Sequence, residues 1–234
     1  MWCIPKLDDQ YIERMLDVLE LYERPYNKQH PVVCFDEKSH QLLSTPRGSR
    51  PIRPGTLPAL KSTGPGTDMA LGHVRHEDYE YKRHGTVNLF VAIEPKGGKR
   101  VIEVTDKRKK PDTARFIEHL VMEEYKSAEQ VVLITDNLNT HTPKAILETL
   151  GEERGHEVLS RIDWHYTPKH ASWLDAAEIE IGRVARAILK QRTSDKEQLK
   201  KEVAAYAATM NEQKKGINWQ FTRKDAKAKF KLQD

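Results

Sequence analysis

The sequence has too little cysteine for a disulfide framework or a cysteine-based metal site. Only two of its 234 residues are cysteines, Cys3 and Cys34. Cys34 lies within an apolar run, where a free thiol behaves as a small buried hydrophobic group. Chains without disulfides are typical of reducing compartments, so we expect this protein to act in a cytosol.

Long apolar segments are also missing. No run approaches the ~20 residues that a membrane-spanning helix requires, and the N-terminus lacks the basic and then apolar pattern of a signal peptide. Hydrophobic residues make up 38% of the chain and charged residues 32%, which is the balance of a globular protein with a polar surface. We therefore expect no membrane partner, and either one sizeable core or two small domains.

Negative charge is scarce towards the C-terminus. The net charge of the whole chain is only +4, yet the segment 190–231 contains twelve Lys or Arg residues and five Asp or Glu residues. A basic surface attracts a polyanion because binding releases condensed counterions. An ordinary solvated helix surface is the alternative, and the charge pattern by itself favours it.

Two apolar runs end in an acidic residue. The run 131–134 is typical of a strand buried on both faces, and the chain then reaches Asp136. The run 31–35 has the same design and ends at Asp36 and Glu37. A carboxylate at the end of a buried strand has a short, fixed backbone beneath it, which suits a metal-binding or catalytic acid. For Asp136 the alternative is a helix cap, because Asp favours turns and N-caps.

A third acid is expected from a helix predicted at 174–191. At 100° per residue, Glu178 lies at the edge of the apolar face of this helix, whereas Glu180 points further round and Asp175 points to the polar side. An acid beside a core-facing stripe needs a partner, and a metal ion is a suitable one. The pattern therefore favours Glu178 over its rival Glu180, although the helix dipole alone stabilises acids in a first turn.

The remaining pattern predicts a hairpin sheet that is extended by strands alternating with helices. Predicted strands lie at 32–36, 87–93, 99–105, 131–134 and 162–166, and predicted helices at 8–22, 113–126, 143–150, 174–191 and 197–211. This order favours an α/β protein with a mixed sheet and helices on its faces.

Four motifs, taken together and in this order, resemble those of the DDE transposases of bacterial insertion sequences, in the mariner-related (IS-six-thirty-like) group. They are Pro31-Val-Val-Cys-Phe-Asp-Glu, Ile134-Thr-Asp-Asn-Leu-Asn-Thr-His, His165-Tyr-Thr-Pro-Lys-His-Ala-Ser-Trp-Leu and Ala177-Glu-Ile-Glu. The resemblance extends over nearly the whole chain. The family pattern has Asn where this chain has Asp175.

The resemblance implies a ribonuclease-H-like fold, with a mixed five-stranded sheet flanked by helices. In that fold the first and fourth strands lie side by side, so Asp36 and Asp136 would meet. We expect an N-terminal helix and a linker remnant at 1–30, the catalytic domain at 31–192 and a basic helical extension at 193–234.

The resemblance also implies a two-metal active site. Asp36, Asp136 and Glu178 would be the catalytic residues and the ligands of two Mg²⁺ or Mn²⁺ ions. Two such ions ~3.5–4 Å apart can activate a water or a 3′-hydroxyl and stabilise the leaving oxygen. The implied function is DNA cleavage and strand transfer, with transposon ends and target DNA as partners in the bacterial cytoplasm, associated with the nucleoid.

The connection 38–86 is predicted to be a long basic loop that contains Arg47, Arg50 and Arg53. Loops of this length are usually functional or disordered. In mariner-like transposases a loop at this place holds the partner subunit near DNA. The resemblance therefore implies DNA contacts by these arginines and a homodimer, with a mobile basic loop as the alternative.

Three further residues are candidates for DNA contacts. Lys169 and His170 match residues of the family motif that contact DNA. His141 either contacts a phosphate or orients the site, and an ordinary turn role is as good an account.

Mariner-like transposases recognise transposon ends with helix-turn-helix modules ahead of the catalytic domain. Here Met1-Trp2-Cys3-Ile4-Pro5 resembles the junction after those modules, so we expect a catalytic domain alone. Two other functions remain open from the sequence. One is a ribonuclease-H-like nuclease, and the other is a non-catalytic fragment that binds DNA or a full-length transposase.

Overall fold

A computed structural model describes residues 7–46 and 80–232 of the chain. Its centre is one mixed sheet with the strand order β3-β2-β1-β4-β5. The strands are β1 (Val32–Ser44), β2 (Lys82–Ile93), β3 (Arg100–Thr105), β4 (Val131–Thr135) and β5 (Ile162–Tyr166). β1, β2 and β3 are antiparallel neighbours, whereas β4 runs parallel to β1 and to β5. The predicted α/β class and the five-stranded mixed sheet are confirmed.

Seven α-helices flank the sheet in the described part of the chain. They are α1 (Asp9–Glu23), α2 (Lys110–His119), α3 (Pro143–Leu150), α4 (Glu152–Ser160), α5 (Ala176–Val184), α6 (Lys196–Glu212) and α7 (Arg223–Phe230). Helices α2 and α5 each continue into a π-helical turn, Leu120–Glu124 and Ala185–Leu189. None of the described helices is long and apolar enough to cross a membrane.

Side chains alternate along the central strands and so supply a core on each face of the sheet. Phe35 points to the face covered by α2, α3 and α4, where its ring lies 5.1 Å from that of Phe116 and 5.9 Å from that of Phe90. Cys34 and Ile134 point to the opposite face, which α1 and the start of α5 cover. Strand β1 is therefore buried on both faces along its first half, as its continuous apolar run predicts.

The predicted loop 38–86 begins too early and ends too late. Strand β1 continues to Ser44, and its partner β2 begins at Lys82, opposite Ser44. The prediction ended β1 at Asp36, where the continuous apolar run stops, but the strand goes on in antiparallel pairing with β2 and buries Leu42 near its end. Residues 47–79 lie outside the described residues, and with them Arg47, Arg50 and Arg53.

Helix α5 is anchored by a buried ion pair. Glu180 Oε1 lies 2.8 Å from Arg100 Nε at the start of β3, and both side chains are 0% exposed. The same carboxylate accepts a 2.9 Å hydrogen bond from Tyr206 Oη on α6 and lies 3.2 Å from Arg183 Nη1. Arg100 also donates to the carbonyl of Lys215. Three elements, β3, α5 and α6, are thus held together by one charged cluster.

Glu180→Gln should lower the free energy of unfolding by about 3–5 kcal/mol, because it leaves Arg100 as an uncompensated buried charge. Urea unfolding monitored by circular dichroism measures this change. Glu178→Gln, on the same helix but exposed, is the matched control and should not destabilise the fold. Equal stability of wild type and Glu180→Gln would contradict the anchoring role.

Candidate active site at the ends of the parallel strands

The pairing of β1 with β4 brings Asp36 next to Asp136. In the parallel register Cys34 lies opposite Ile134, and Phe35 lies opposite Thr135. Asp36 and Asp136 are the next residues along each strand, so their side chains leave the sheet on the same face. The predicted meeting of the first and fourth strands is confirmed, although a long stretch of sequence separates them.

The start of α5 lies over this pair of acids. Tyr22 of α1 fixes its position, because Tyr22 Oη donates to the Leu174 carbonyl (2.8 Å) and accepts from the Ala176 N–H (3.1 Å). Asp175 is the N-cap of α5, and its Oδ1 accepts a 2.8 Å hydrogen bond from the Ala177 N–H. These bonds join the first turn of α5, which contains Glu178, to α1. Ala176 and Ala177 pack in the same hydrophobic cluster as Cys34 of β1 and Ile134 of β4.

The prediction that Asp175 points to the polar side of the helix is wrong. Asp175 is 1% exposed, and its backbone is extended, with φ −81° and ψ 116°. The 100° spacing applies only to helical residues, and Asp175 precedes the first of them. Its Oδ2 is buried and has no hydrogen-bond partner among the described residues.

Glu178 and Glu180 have different environments. Glu180 is enclosed by the ion pair with Arg100, so it is not free to bind a ligand. Glu178 is exposed in the first turn of α5, and its negative charge acts on both Asp36 and Asp175. The structure thereby favours Glu178 as the third acid of the site.

The acids at this site repel one another. Burial raises the pKa of Asp36 to about 7, and the charges of Glu178, Asp136 and Glu37 add to this rise, although the Glu37 N–H donates to Asp36 Oδ1. Burial, and then the charge of Asp36, raise the pKa of Asp175 well above its ordinary value. The structure therefore gathers negative charge around Asp36 in a partly buried place.

His141 is the cation that lies among these acids. Its Nδ1 is 2.7 Å from Asp136 Oδ1, and its Nε2 is 2.9 Å from Glu37 Oε1. Burial lowers the pKa of His141, but the hydrogen bonds to the two carboxylates outweigh burial and raise it to about 9. The imidazole is therefore protonated at neutral pH, and it links the strand ends of β1 and β4.

The predicted DNA contact of His141 is wrong, because its side chain is 0% exposed. The alternative, that His141 orients the site, agrees with its two carboxylate partners. The sequence pattern did not reveal this burial, since a histidine in a polar turn looks like a surface residue. Its ring packs 5.0 Å from that of Phe35, which encloses it.

Asp136 does not cap a helix. Helix α3 begins at Pro143 and is capped by Thr142. Asp136 Oδ1 instead accepts hydrogen bonds from His141 and from the Leu138 N–H (3.0 Å). Within the described chain both bonds fall on Oδ1, so Oδ2 keeps its lone pairs for another ligand. Burial raises the pKa of Asp136, but the interactions with His141 outweigh burial, so the pKa is lowered.

The donor set fits a hard divalent cation, although in residues 7–46 and 80–232 no three potential ligands converge closely enough to enclose an ion. Asp36, Asp136 and Glu178 supply carboxylate oxygens, which Mg²⁺ and Mn²⁺ prefer. The buried Oδ2 of Asp175 has no hydrogen-bond partner in the described chain. A cation near Asp36 would offset the burial, and the smaller effect of neighbouring charges, that raise the pKa of this acid.

Lys169 and His170 lie exposed in the loop that joins β5 to α5. His170 adopts a positive φ of 61°, which is uncommon for a residue other than glycine. Across from this loop lies Arg14 of α1, which the sequence did not single out. Arg14 donates to Asn137 Oδ1, and Asn137 Nδ2 donates to the Thr167 carbonyl (2.6 Å). The residue after Asp136 is thus tied to α1 and to the end of β5.

Residues 31–200 match the family described as DDE superfamily endonuclease. A search of curated proteins gives no match. Among solved structures, a Mos1 transposase paired-end complex with left transposon end has a TM-score of 0.51 and 19% identity, over 92% of this chain and 60% of that chain. A mariner Mos1 paired end complex with Mg has a TM-score of 0.52 and 20% identity, over 89% and 58%.

A Mos1 strand transfer complex also matches, with a TM-score of 0.51 and 20% identity, over 89% of this chain and 57% of that chain. The chain therefore spans about 60% of the length of the first of these transposases. The likeness confirms the predicted ribonuclease-H-like fold.

Asp36→Asn should stabilise the metal-free protein at pH 8 by about 2–4 kcal/mol. The pKa of Asp36 in the folded protein is about 7, above the ordinary value of 3.8. Above pH 7 the carboxylate is ionised in both states, and the folded state bears the cost. Below pH 3.8 it is neutral in both states, and this cost is absent. Urea unfolding in EDTA at pH 8 and pH 4 measures the difference, which should shrink at pH 4. A destabilised variant at pH 8 would contradict the cost of burying the ionised carboxylate of Asp36.

His141→Asn should weaken Mg²⁺ binding by about 10–100-fold, the usual loss when a residue that orients a metal ligand is removed. The reason is that Asp136 loses the bond that fixes its carboxylate. Isothermal titration measures the affinity. His156→Asn, which replaces an exposed histidine on α4, is the control and should bind Mg²⁺ as wild type does. Unchanged binding by His141→Asn would rule out the orienting role.

Proposed function

Because the chain belongs to the DDE superfamily endonucleases, we propose that it is a transposase catalytic domain which cleaves DNA and transfers the cut strand. The observation that supports this most is the parallel register of β1 and β4, which brings Asp36 and Asp136 together below Glu178. A merely structural role would not need several repelling carboxylates at one strand edge. The catalytic unit is proposed to be 31–192.

Asp36, Asp136 and Glu178 are proposed to hold two Mg²⁺ or Mn²⁺ ions. When bound, such ions activate a water or a 3′-hydroxyl for in-line attack on phosphorus and stabilise the leaving oxygen. His141 occupies Asp136 Oδ1, and the Glu37 N–H occupies Asp36 Oδ1. Each strand acid therefore has one oxygen fixed by the protein, and the other oxygen is proposed to bind the metal.

The proposed partners are transposon ends and target DNA. The matched Mos1 structures are a paired-end complex with a transposon end and a strand transfer complex, and by analogy we extend these partners to this chain. A homodimer is proposed because the connection 38–86 resembles the loop that holds the partner subunit in mariner-like transposases. Arg47, Arg50 and Arg53, together with Lys169 and His170, are proposed as DNA contacts.

The proposed biological setting is a bacterial insertion sequence of the mariner-related group. The sequence motifs support this origin. The protein would act on chromosomal DNA in the bacterial cytoplasm, and its net charge of +4 suits a DNA-binding protein.

Given precleaved donor ends with a 3′-hydroxyl, the wild-type chain should join them to target DNA in Mg²⁺ or Mn²⁺. Glu178→Gln should reduce the joining rate at least ~10²-fold, the usual loss when one preorganised electrostatic group is removed. Denaturing gels of labelled ends measure the joined product. Glu153→Gln, an exposed acid on α4, is the control and should join at the wild-type rate.

Two results would contradict the proposal. Full activity of Glu178→Gln would remove the third acid from the site. A wild-type protein that cuts RNA–DNA hybrids but never joins ends would be a ribonuclease-H-like nuclease.

A further inference from the structure

A basic groove lies beside the acids, between the start of α1 and the loop after β5. It encloses about 210 Å³ and is lined by Arg14, Lys169 and His170, together with Asp8 and Tyr11. Tyr11 is buried and forms its base, whereas Lys169 and His170 are exposed at its edge. The groove is open to solvent along the edge formed by Lys169 and His170.

The walls of this groove continue into the segments that contain the active-site acids. Arg14 donates to Asn137 Oδ1, and Asn137 directly follows Asp136. On the other side, the loop that contains Lys169 and His170 leads through the turn Ser172–Leu174 into α5. A strand whose scissile phosphate lies at the acids would therefore pass close to this groove.

The groove has positive charge that the protein leaves uncompensated. Neither Arg14 nor Lys169 forms an ion pair with a carboxylate in the part of the chain that the structure describes. Other basic residues of the same surface are paired, such as Arg223, which contacts Glu23 and Glu20. Asp8 is the one acid of the groove, and its Oδ1 is occupied by the Tyr11 N–H.

Arg14 is also held in one orientation before any ligand binds. Its guanidinium donates to Asn137 and lies 5.8 Å from the ring centroid of Tyr166. A planar guanidinium in a fixed orientation suits phosphate oxygens, which it can contact with two parallel hydrogen bonds. Lys169 adds a second positive charge on a flexible side chain, which can adjust its position to a bound phosphate.

We propose that this groove binds one backbone phosphate of the DNA strand that enters the active site. The inference rests on the proposed function and adds Arg14, from outside the predicted motifs, to its substrate contacts. A phosphate contact fixes where a strand lies without reading its sequence. The groove would thus set the position of the scissile phosphate relative to Asp136 and Glu178.

Fluorescence anisotropy with a labelled duplex in EDTA tests the groove without requiring catalysis. Arg14→Gln/Lys169→Gln should bind about 10-fold more weakly, and the slope of log K against log salt should fall by about 0.9 for each lost phosphate contact. Lys169→Gln alone should show a smaller loss of affinity and a smaller decrease of the salt slope. The Lys169 side chain forms no hydrogen bond or ion pair within the described residues, so the test remains valid if Arg14→Gln disturbs the Asn137 turn.

Arg115→Gln/Lys126→Gln is the matched control, because it removes the same charge from exposed positions on the other side of the sheet. This variant should retain wild-type affinity within about twofold. An equal loss in both double variants would mean that only net charge matters, and the groove would not be a site. Wild-type binding by the groove variant would overturn the proposal in the same way.

A methylphosphonate scan locates the contact. Replacing one phosphate at a time should weaken wild-type binding most at one position near the scissile bond, and at that position the groove variant should show no further loss. Additive losses at every position would overturn the groove. If the groove variant joins ends and binds as wild type does, the groove fails while the transposase function stands. If wild type neither binds nor joins DNA, both fail.

Discussion

The parallel pairing of β1 with β4 is the constraint on which the rest of this structure depends. It fixes the register in which Asp36 and Asp136 leave the sheet together. Parallel strands must be covered on both faces, which requires the helices on each side and places the start of α5 above the acids. The fold thereby brings several carboxylates together at the ends of β1 and β4. Other contacts of the protein reduce the free-energy cost of this arrangement.

Those contacts treat the two strand acids differently. His141 gives Asp136 and Glu37 a positive partner. Among the described residues Asp36 has no such partner and lies near the charge of Glu178, and burial raises its pKa to about 7. Burial and the neighbouring charges therefore disfavour the ionised form of Asp36, which is the pattern expected where a site is prepared for a cationic ligand.

The sequence predicted those parts of the fold in which local pattern and tertiary environment agree. Strand β4 was predicted to within one residue and helix α3 with its observed range, because burial on both faces and a proline in a first turn leave clear patterns. The pairing of distant strands came from the family resemblance. The burial of Asp175 and His141 escaped prediction, since their environments are built by residues far along the chain.

The anchoring of α5 links the candidate active site to the edge strand β3 of the sheet. Glu178 and Glu180 are two residues apart and therefore lie about 200° apart around the helix axis. The ion pair of Glu180 with Arg100 fixes the rotation of α5, and so it fixes the direction in which Glu178 points. Neither member of the pair can be replaced alone without leaving a buried charge, so the two positions should covary during evolution, together with the helix register that they set.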